Sequence, residues 1–477
     1  MIGKVSALVV LSALLMATSA QADVEISKQP TANISCVSRV CSPTASKAVL
    51  NVGDLETMLA SGDVTVNTGG SLAKDIDIDQ PLTWASTSRL TLDAYQSVSV
   101  KKPVSVTGTG ALTITTNDGG KNGEFVIVPE RGSVQFWDLG SSLLIDGITY
   151  TLVGDIKTLA ADIAANPSGL YALAKSYDAS VDGTYSTSPI ATDFYGTLEG
   201  LGNVISNFTL RVGSGSGSGL FTTIRVSGRV RDLGLDTVNV EGGNYFEVAS
   251  LAGGSEGTIE ACWATGKVTN SSNSISGLVA VNGGTVSRSF ARVDVAADSV
   301  RRAGGLVAYN AGLISQSYAT GRVKTWLGLE TDAGGLVGYN EAGDGQILNS
   351  YTLGTVHDGQ GNCCEFGGLV GENGDGATIT GAYAAGRISK NAQSHGGGLV
   401  GDDGSMPGSI ANGYWDLDKG ISNPAQGAGN IPNDPGITGL SDAQLKSRLP
   451  AGFDPGIWGQ NSKINDGYPY LLANPPP

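Results

Sequence analysis

Residues 303–323 read AGGLVAYNAGLISQSYATGRV, and residues 333–356 read AGGLVGYNEAGDGQILNSYTLGTV. They are two copies of one unit. Further copies are SGLVAVNGGTVSRSFARVDV at 276–295 and FGGLVGENGDGATITGAYAAGRI at 366–388, with weaker ones starting near Leu251 and Leu399. The opening leucine recurs at 251, 278, 306, 336, 369 and 399, a spacing of 27 to 33 residues. Repeats of that length belong to solenoids and arrays, where each unit covers the hydrophobic face of its neighbour.

The residue types say which solenoid. Leu336-x-Gly338-x-Asn340 alternates with period 2, and Val, Ile, Thr and Tyr dominate, so the units are built of strands. No proline occurs between Pro189 and Pro407, as an uninterrupted hydrogen-bonded sheet requires. Amphipathic helical patterns are missing from the units, and a propeller blade would need about 40–45 residues. The expected fold is therefore all-β: a parallel β-helix, right-handed by the usual chirality of crossovers.

Stacked coils turn repeated positions into columns. Asn282, Asn310, Asn340 and Asn373 each lie four residues after the opening leucine, and their amides can hydrogen-bond along the axis. An aromatic column runs Trp263, Phe290, Tyr318, Tyr351, Tyr383 and Tyr414. Ile259, Val286, Ile314, Ile347, Ile379 and Ile410 precede it by four, and Val268, Val295, Val323, Val356 and Ile388 follow by five. These columns suit structural stacking through burial and ring contact. A ligand-binding aromatic stripe is the sharper alternative, and the sequence does not say which way the rings face. Length varies in two loops per coil, as in Glu341–Gln346, Lys324–Gly335 and His357–Gly368, where binding specificity could reside.

The rest of the chain divides around this array. Lys4, the apolar run to Ala17 and Ala20-Gln21-Ala22 make residues 1–22 a signal peptide, too short to span a bilayer. Residues 23–46 form an N-terminal leader in which Cys36 and Cys41 are expected to pair. Residues 47–150 are an irregular start of the rod, and 151–248 a pre-repeat segment with a helix at Ile156–Ala165. The six coils occupy 249–417. Residues 418–477 hold 9 of the 17 prolines, from Pro424 onward, and read as a Pro-rich C-terminal cap. Ser441-x-x-Gln444 there marks a capping box for a short helix.

The units GGLVGYN…SYTLGTV and GGLVAYN…SYATGRV resemble the GLUG repeat of bacterial surface proteins. GLYALAKSYDAS (169–180), FYGTLEGLGNVISNFTL (194–210), GLFTTI (219–224) and GRVRDLGLDTVNV (228–240) resemble the segment preceding those repeats in filamentous-haemagglutinin-like adhesins. GYWDLD (413–418) and GYPYLL (467–472) are similar to their closing segment. The resemblance implies an exported β-helix with an adhesive or surface role, handled by an outer-membrane secretion partner. The NPN-type motifs of such adhesins' secretion domain do not stand out here, so the export route is not legible.

Composition removes other classes. Lysine and arginine total 29 against 44 aspartate and glutamate, a net charge of −15, which disfavours binding a phosphate backbone. Hydrophobic residues make up 40% and charged ones 15%, enough to bury a core, and glycine is abundant at 70 residues. The only two histidines, His357 and His395, form no HExxH site, and no GxSxG frames a serine nucleophile. No catalytic residue, cofactor or metal is assigned. Two constellations could carry chemistry, but structural readings explain both. Asp75, Asp77 and Asp79 share one strand face near the spacing of an inverting glycosidase pair, but ordinary polar–apolar alternation explains them equally well. His357, Cys363, Cys364 and His395 could offer zinc a tetrahedral set, but adjacent cysteines chelate one ion poorly. Cys262 sits in the column of Ser289 and Ser317 as a buried thiol. The expected function is a secreted or cell-surface adhesin-like rod, not an enzyme. Its expected partner is a glycan or protein on a host or neighbouring cell, with no nucleic acid and no membrane span. A carbohydrate-active enzyme and a structural matrix component are the alternatives.

Overall fold

The computed structural model describes residues 23–476, apart from 214–216, 244–246, 271–272, 299, 327–330, 359–363, 390–394 and 405–408. Residues 1–22, expected from the sequence to be a signal peptide, and Cys363 lie outside the described residues. The chain folds as a nearly all-β parallel solenoid of about 14 turns.

Two stacks make up the rod. In the first, Asp75–Ile78, Val98–Val100 and Phe125–Ile127 stack in one sheet, and Leu82–Trp84, Pro103–Val106 and Ser133–Phe136 in a second. Arg89–Asp93, Ala111–Thr115 and Ser142–Ile145 form the third. Residues 47–150 are thus more regular than their sequence suggests: three complete triangular coils lie within them. Residues 23–46, read as a leader ahead of the rod, are built into it. Asp23–Ser27 pairs between Ala48–Asn51 and Asp75–Ile78, with Val24 and Ile26 fully buried. Ile34–Val37 and Val40–Pro43 form a hairpin closed by a Cys36–Cys41 disulfide. The helix Val52–Leu59, capped by the Asn51 side chain, is an element that the sequence reading did not include.

One antiparallel pairing, Ser142–Ile145 on Ile148–Val153, leads into the second stack. The helix at Ile156–Ala165 forms with those bounds, its first turn capped by Asp155. From there the coils run on to residue 440 around a separate hydrophobic core. Arg231 ties the stacks together: it bonds Asp232 at 2.9 Å, lies 3.3 Å from Glu199, and donates to the Phe125 carbonyl at 2.8 Å.

One coil shows how the repeat works. Arg302–Gly304 runs inward, Val307–Asn310 runs back out, and Leu313–Ser315 follows. A single left-handed residue, Gln316 (φ 46°), then turns the corner into Tyr318–Ala319 and Arg322–Trp326. Asp232, Ala261, Arg288, Asn349, Gly381 and Asn412 hold the same conformation at the matching corners. The glycines of GGLVG answer to crowding rather than to turns. Where the inward and outward strands fold back on each other their backbones touch, and a Cβ on Gly371 would lie 2.5 Å from the Ala333 nitrogen.

The asparagine column forms a continuous hydrogen-bonded chain. Asn282 Nδ2 donates to Asn310 at 2.7 Å, Asn310 to Asn340 and Asn340 to Asn373 at 2.8 Å, and Asn373 to Asp403 at 2.9 Å. All four asparagines are fully buried, so each amide needs these partners. Residues 426–440 add a partial further turn, with Ile437–Leu440 pairing on Ile410–Asp416.

Candidate functional site

Two outward-facing surfaces of the repeat coils could meet a ligand, and the chain treats them differently. The first is the aromatic column. Successive ring centroids lie 5.8, 4.9, 4.8 and 5.0 Å apart from Trp263 to Tyr383, with planes within 12° of parallel. Neighbouring residues on a strand point to opposite faces. Ala264, Ala291 and Ala319 belong to the solenoid core, so Trp263, Phe290 and Tyr318 point outward.

The column is nevertheless buried, and over Tyr351, Tyr383 and Tyr414 the C-terminal segment covers it. After the helix Asp442–Ser447, which carries the expected Ser441–Gln444 capping box, the chain turns back along the flank as a strap. Phe453 packs between Tyr414 and Tyr383, and Trp458 packs on Tyr383 and Tyr351. Tyr414 and Tyr383 donate to the Ala451 and Pro469 carbonyls, both at 2.7 Å. Asn474 reaches the Ser289 and Gln316 carbonyls. At the other end, Glu124 and Glu130 of the first stack ion-pair Arg288 and Arg292, and Arg292 lies over the Phe290 ring. Residues 441–476 therefore seal a side of the rod, and the aromatic column is an internal docking seam rather than a ligand stripe.

The sequence-level candidates for chemistry fall into structural positions. Lys101 bridges Asp77 and Asp79 at 2.9 and 3.2 Å, and Asp75 accepts from the Ser97 amide at 2.8 Å. Of the zinc set, Cys363 lies outside the described residues. Cys364 opens a strand, buried and opposite Thr331, whereas position 395 pairs with Glu365. His357 pairs with Lys324 and Ser389 in another sheet. Among the described residues, no three His, Cys, Asp or Glu side chains are placed to hold a metal. Cys262 is buried and its Sγ faces the Glu260 carbonyl at 3.4 Å; burial pushes the thiol far above its ordinary range.

The second surface is a cleft of about 480 Å³, left open where the inward and outward strands diverge. One lip carries Arg302, Asp332 and Glu365, stacked in register and continued by position 395. The other carries Tyr309, Tyr339, Glu372 and Asp402, also in register. At one end the Arg302 guanidinium lies 4.5 and 4.9 Å from the Tyr309 and Tyr339 rings, the geometry of cation–π contact. Its Nε stands 4.0 Å from Asp332. Burial, then the Glu372 and Glu365 carboxylates, push the Asp332 acid up to about 8. Glu372 is raised too, by burial and then by Asp402 and Glu365.

Sequence reasoning placed specificity in the loops and missed this cleft. The signal was present four residues before and three after Leu306, Leu336, Leu369 and Leu399. Those positions read Arg, Asp, Glu, His and Tyr, Tyr, Glu, Asp while the Gly-Gly-Leu-Val between them repeats. A second cavity, about 560 Å³ between the last turn and the strap, is lined by Tyr414, Gln444 and Arg448 among others, and by no carboxylate.

No family model matches the chain. It is 30% identical over 143 residues to Halomucin of Haloquadratum walsbyi, an alignment covering 30% of this chain and 1% of that protein. Among solved structures it is similar to a “putative immunoglobulin A1 protease” from Bacteroides ovatus. That likeness has 15% identity and a TM-score of 0.40, over 68% of this chain and 93% of the other. No helix among the described residues is long and apolar enough to cross a membrane.

Proposed function

We propose that this protein is a secreted or cell-surface rod that acts by binding, in the manner of the GLUG-repeat, haemagglutinin-like adhesins its repeats resemble. The cleft is its contact surface for a glycan or protein on another cell. One observation carries the reading. Inward positions repeat from coil to coil, but the cleft positions change identity and bring Asp332, Glu365 and Glu372 together, where burial first and then the neighbouring carboxylates raise the Asp332 acid to about 8. A scaffold needs no such arrangement, since uncharged side chains on the same lips would be less costly. The test is binding of the chain from Asp23 onward to a glycan array and to whole cells. Saturable binding that Glu365→Gln/Glu372→Gln removes, and that shortening 357–368 leaves intact, supports the cleft. Binding lost only with the loop moves the contact to the loop, and no binding anywhere leaves a matrix role.

The carbohydrate-active alternative rests on one feature, a raised Asp332 acid beside carboxylates that could serve as base. Polysaccharide turnover that disappears in Asp332→Asn would establish it.

A further inference from the structure

The joint between the two stacks is short of positive charge. Thr197–Glu199 pairs with Arg229–Arg231, which sets Glu199 opposite Arg231, and Asp232 follows at the corner. Glu199 and Asp232 are both buried. One guanidinium serves them. Arg231 Nε lies 2.9 Å from Asp232 and 3.3 Å from Glu199, while a terminal nitrogen donates to the Phe125 carbonyl of the first stack at 2.8 Å. The neighbouring cations are engaged elsewhere. Arg229 and Arg288 both pair with Glu260, and Arg288 also with Glu124 of the first stack. Tyr150 and Cys262 lie near the pair as well, but burial holds both in their neutral forms.

Two buried carboxyl groups thus share one counter-charge. Leaving an unbalanced charge in such a site costs far more than keeping a proton on one acid. The proton belongs to Glu199. Its carboxyl donates a hydrogen bond to Asp232, and burial, then the Asp232 charge, push its acid above the ordinary carboxylate range against the pull of Arg231. We infer that the joint is a proton-operated clamp: while Glu199 is neutral, Arg231 is balanced by Asp232 alone and holds the first stack, and once the proton passes to solvent the joint opens locally. Opening is then favoured because two carboxylates face each other across one guanidinium and gain by reaching water. The segment that parts is Ser133–Phe136, whose Val134 and Phe136 amides donate to the Leu201 and Ala174 carbonyls at 2.9 and 2.6 Å. Leu201 lies two residues after Glu199, and Ala174 two after its register partner Ala172. Each stack keeps its own core, so the contact between them loosens without unfolding either. An acid raised in the closed joint stabilises it fully below the ordinary carboxylate pKa, and that contribution is lost as pH rises through the raised value.

The experiment is hydrogen exchange of the chain from Asp23 onward at about pH 6 and about pH 9, corrected for the intrinsic rate at each. It is read by mass spectrometry in fragments containing Ser133–Phe136 and, as reference, the repeat strand Val337–Asn340. Between the two pH values, protection of Ser133–Phe136 is expected to fall at least about tenfold more than that of the reference. Glu199→Gln keeps a hydrogen-bond donor towards Asp232 and has no proton to lose in this range. It should hold the joint equally protected at both pH values. Asp232→Asn reaches the same end from the other side, since Glu199 then pairs with Arg231 alone and is ionised throughout. The selective loss should vanish there too. Equal loss of protection in joint and reference overturns the inference on the unaltered chain alone. Selective loss that persists in either variant overturns it as well, because the proton would then come from another group.

Discussion

The aromatic flank and the carboxylate cleft lie on the same coils, and both point away from the core. On the flank, one chemistry repeats from Trp263 to Tyr414, and the chain covers it with its own C-terminal segment over Tyr351–Tyr414. In the cleft, each rung differs, from Arg302 and Tyr309 to Glu365 and Glu372, and an open volume remains. A uniform apolar column offers every rung the same contact, which suits a strap that must lie along the whole length. Changing rungs suit a ligand that must be read. The difference teaches that a repeated outward column in a solenoid is evidence about the fold's own closure, and an unrepeated one is evidence about partners.

The comparison breaks most visibly if the strap is removed. Ending the chain at residue 440 uncovers a stacked aromatic surface that monomeric proteins do not leave in water. We expect dye binding to exposed apolar surface and concentration-dependent association. A monomeric, dye-silent product would show that the strap is incidental. A smaller cut is Trp458→Ala, which empties a fully buried site against Tyr351, Tyr383 and Phe453. About 3–5 kcal/mol should be lost in urea unfolding.

Next in size is the inward counterpart. Asn340→Leu leaves the Asn310 Nδ2 and the Asn373 Oδ1 without their ladder partners. At ~1–3 kcal/mol for each buried polar group left unmade, destabilisation of roughly 2–6 kcal/mol should follow, with the binding of any cleft ligand intact. The cleft itself responds to pH. The Asp332 acid is raised from 3.8 to about 8, so the folded state binds its proton more tightly than the unfolded state does. Its stabilising contribution is complete below pH 3.8 and declines as pH rises towards 8, by at most ~1.4 kcal/mol per unit. Melting temperature should therefore fall more steeply between pH 5 and 8 in the native protein than in Asp332→Asn. Parallel curves would place Asp332 in water.

Much of this was legible from residue types because solenoid stacking makes sequence repeats into spatial columns. The leucine period gave the coil, and the asparagines and rings gave the ladders. Three things were not legible. The rings' direction depends on what covers them, and the covering residues, Phe453 and Trp458, lie in a segment that shares no period with the repeats. The first stack repeats its coils at 22 to 31 residues without a shared motif, as in Leu90, Leu112 and Leu143, so its regularity shows only in the register. The cleft escaped because it is made of positions that fail to repeat, and periodicity selects for those that do. Of the zinc set, Cys364 is buried at the start of a strand, and His357 lies in a different sheet.

The smallest effect separates contact with the strap from stacking within the seam. Tyr383 donates to the Pro469 carbonyl at 2.7 Å and accepts from Asn465 at 3.1 Å, so its hydroxyl is part of the strap's attachment. The Tyr318 hydroxyl is buried and meets no hydrogen-bond partner among the described residues, although its ring stacks on Phe290 and Tyr351 in the same way. Removing only the oxygen keeps both stacks. Tyr383→Phe should cost about 1 kcal/mol, because it leaves a buried carbonyl with one donor fewer. Tyr318→Phe should be neutral or stabilising by up to ~1 kcal/mol, since it relieves an unmet polar group at no loss of ring contact. Chemical denaturation of the two variants side by side reads the sign of each. Opposite signs would mean that the seam holds by rings throughout and by hydrogen bonds only where the strap touches it; equal losses would mean that Tyr318 has a partner too.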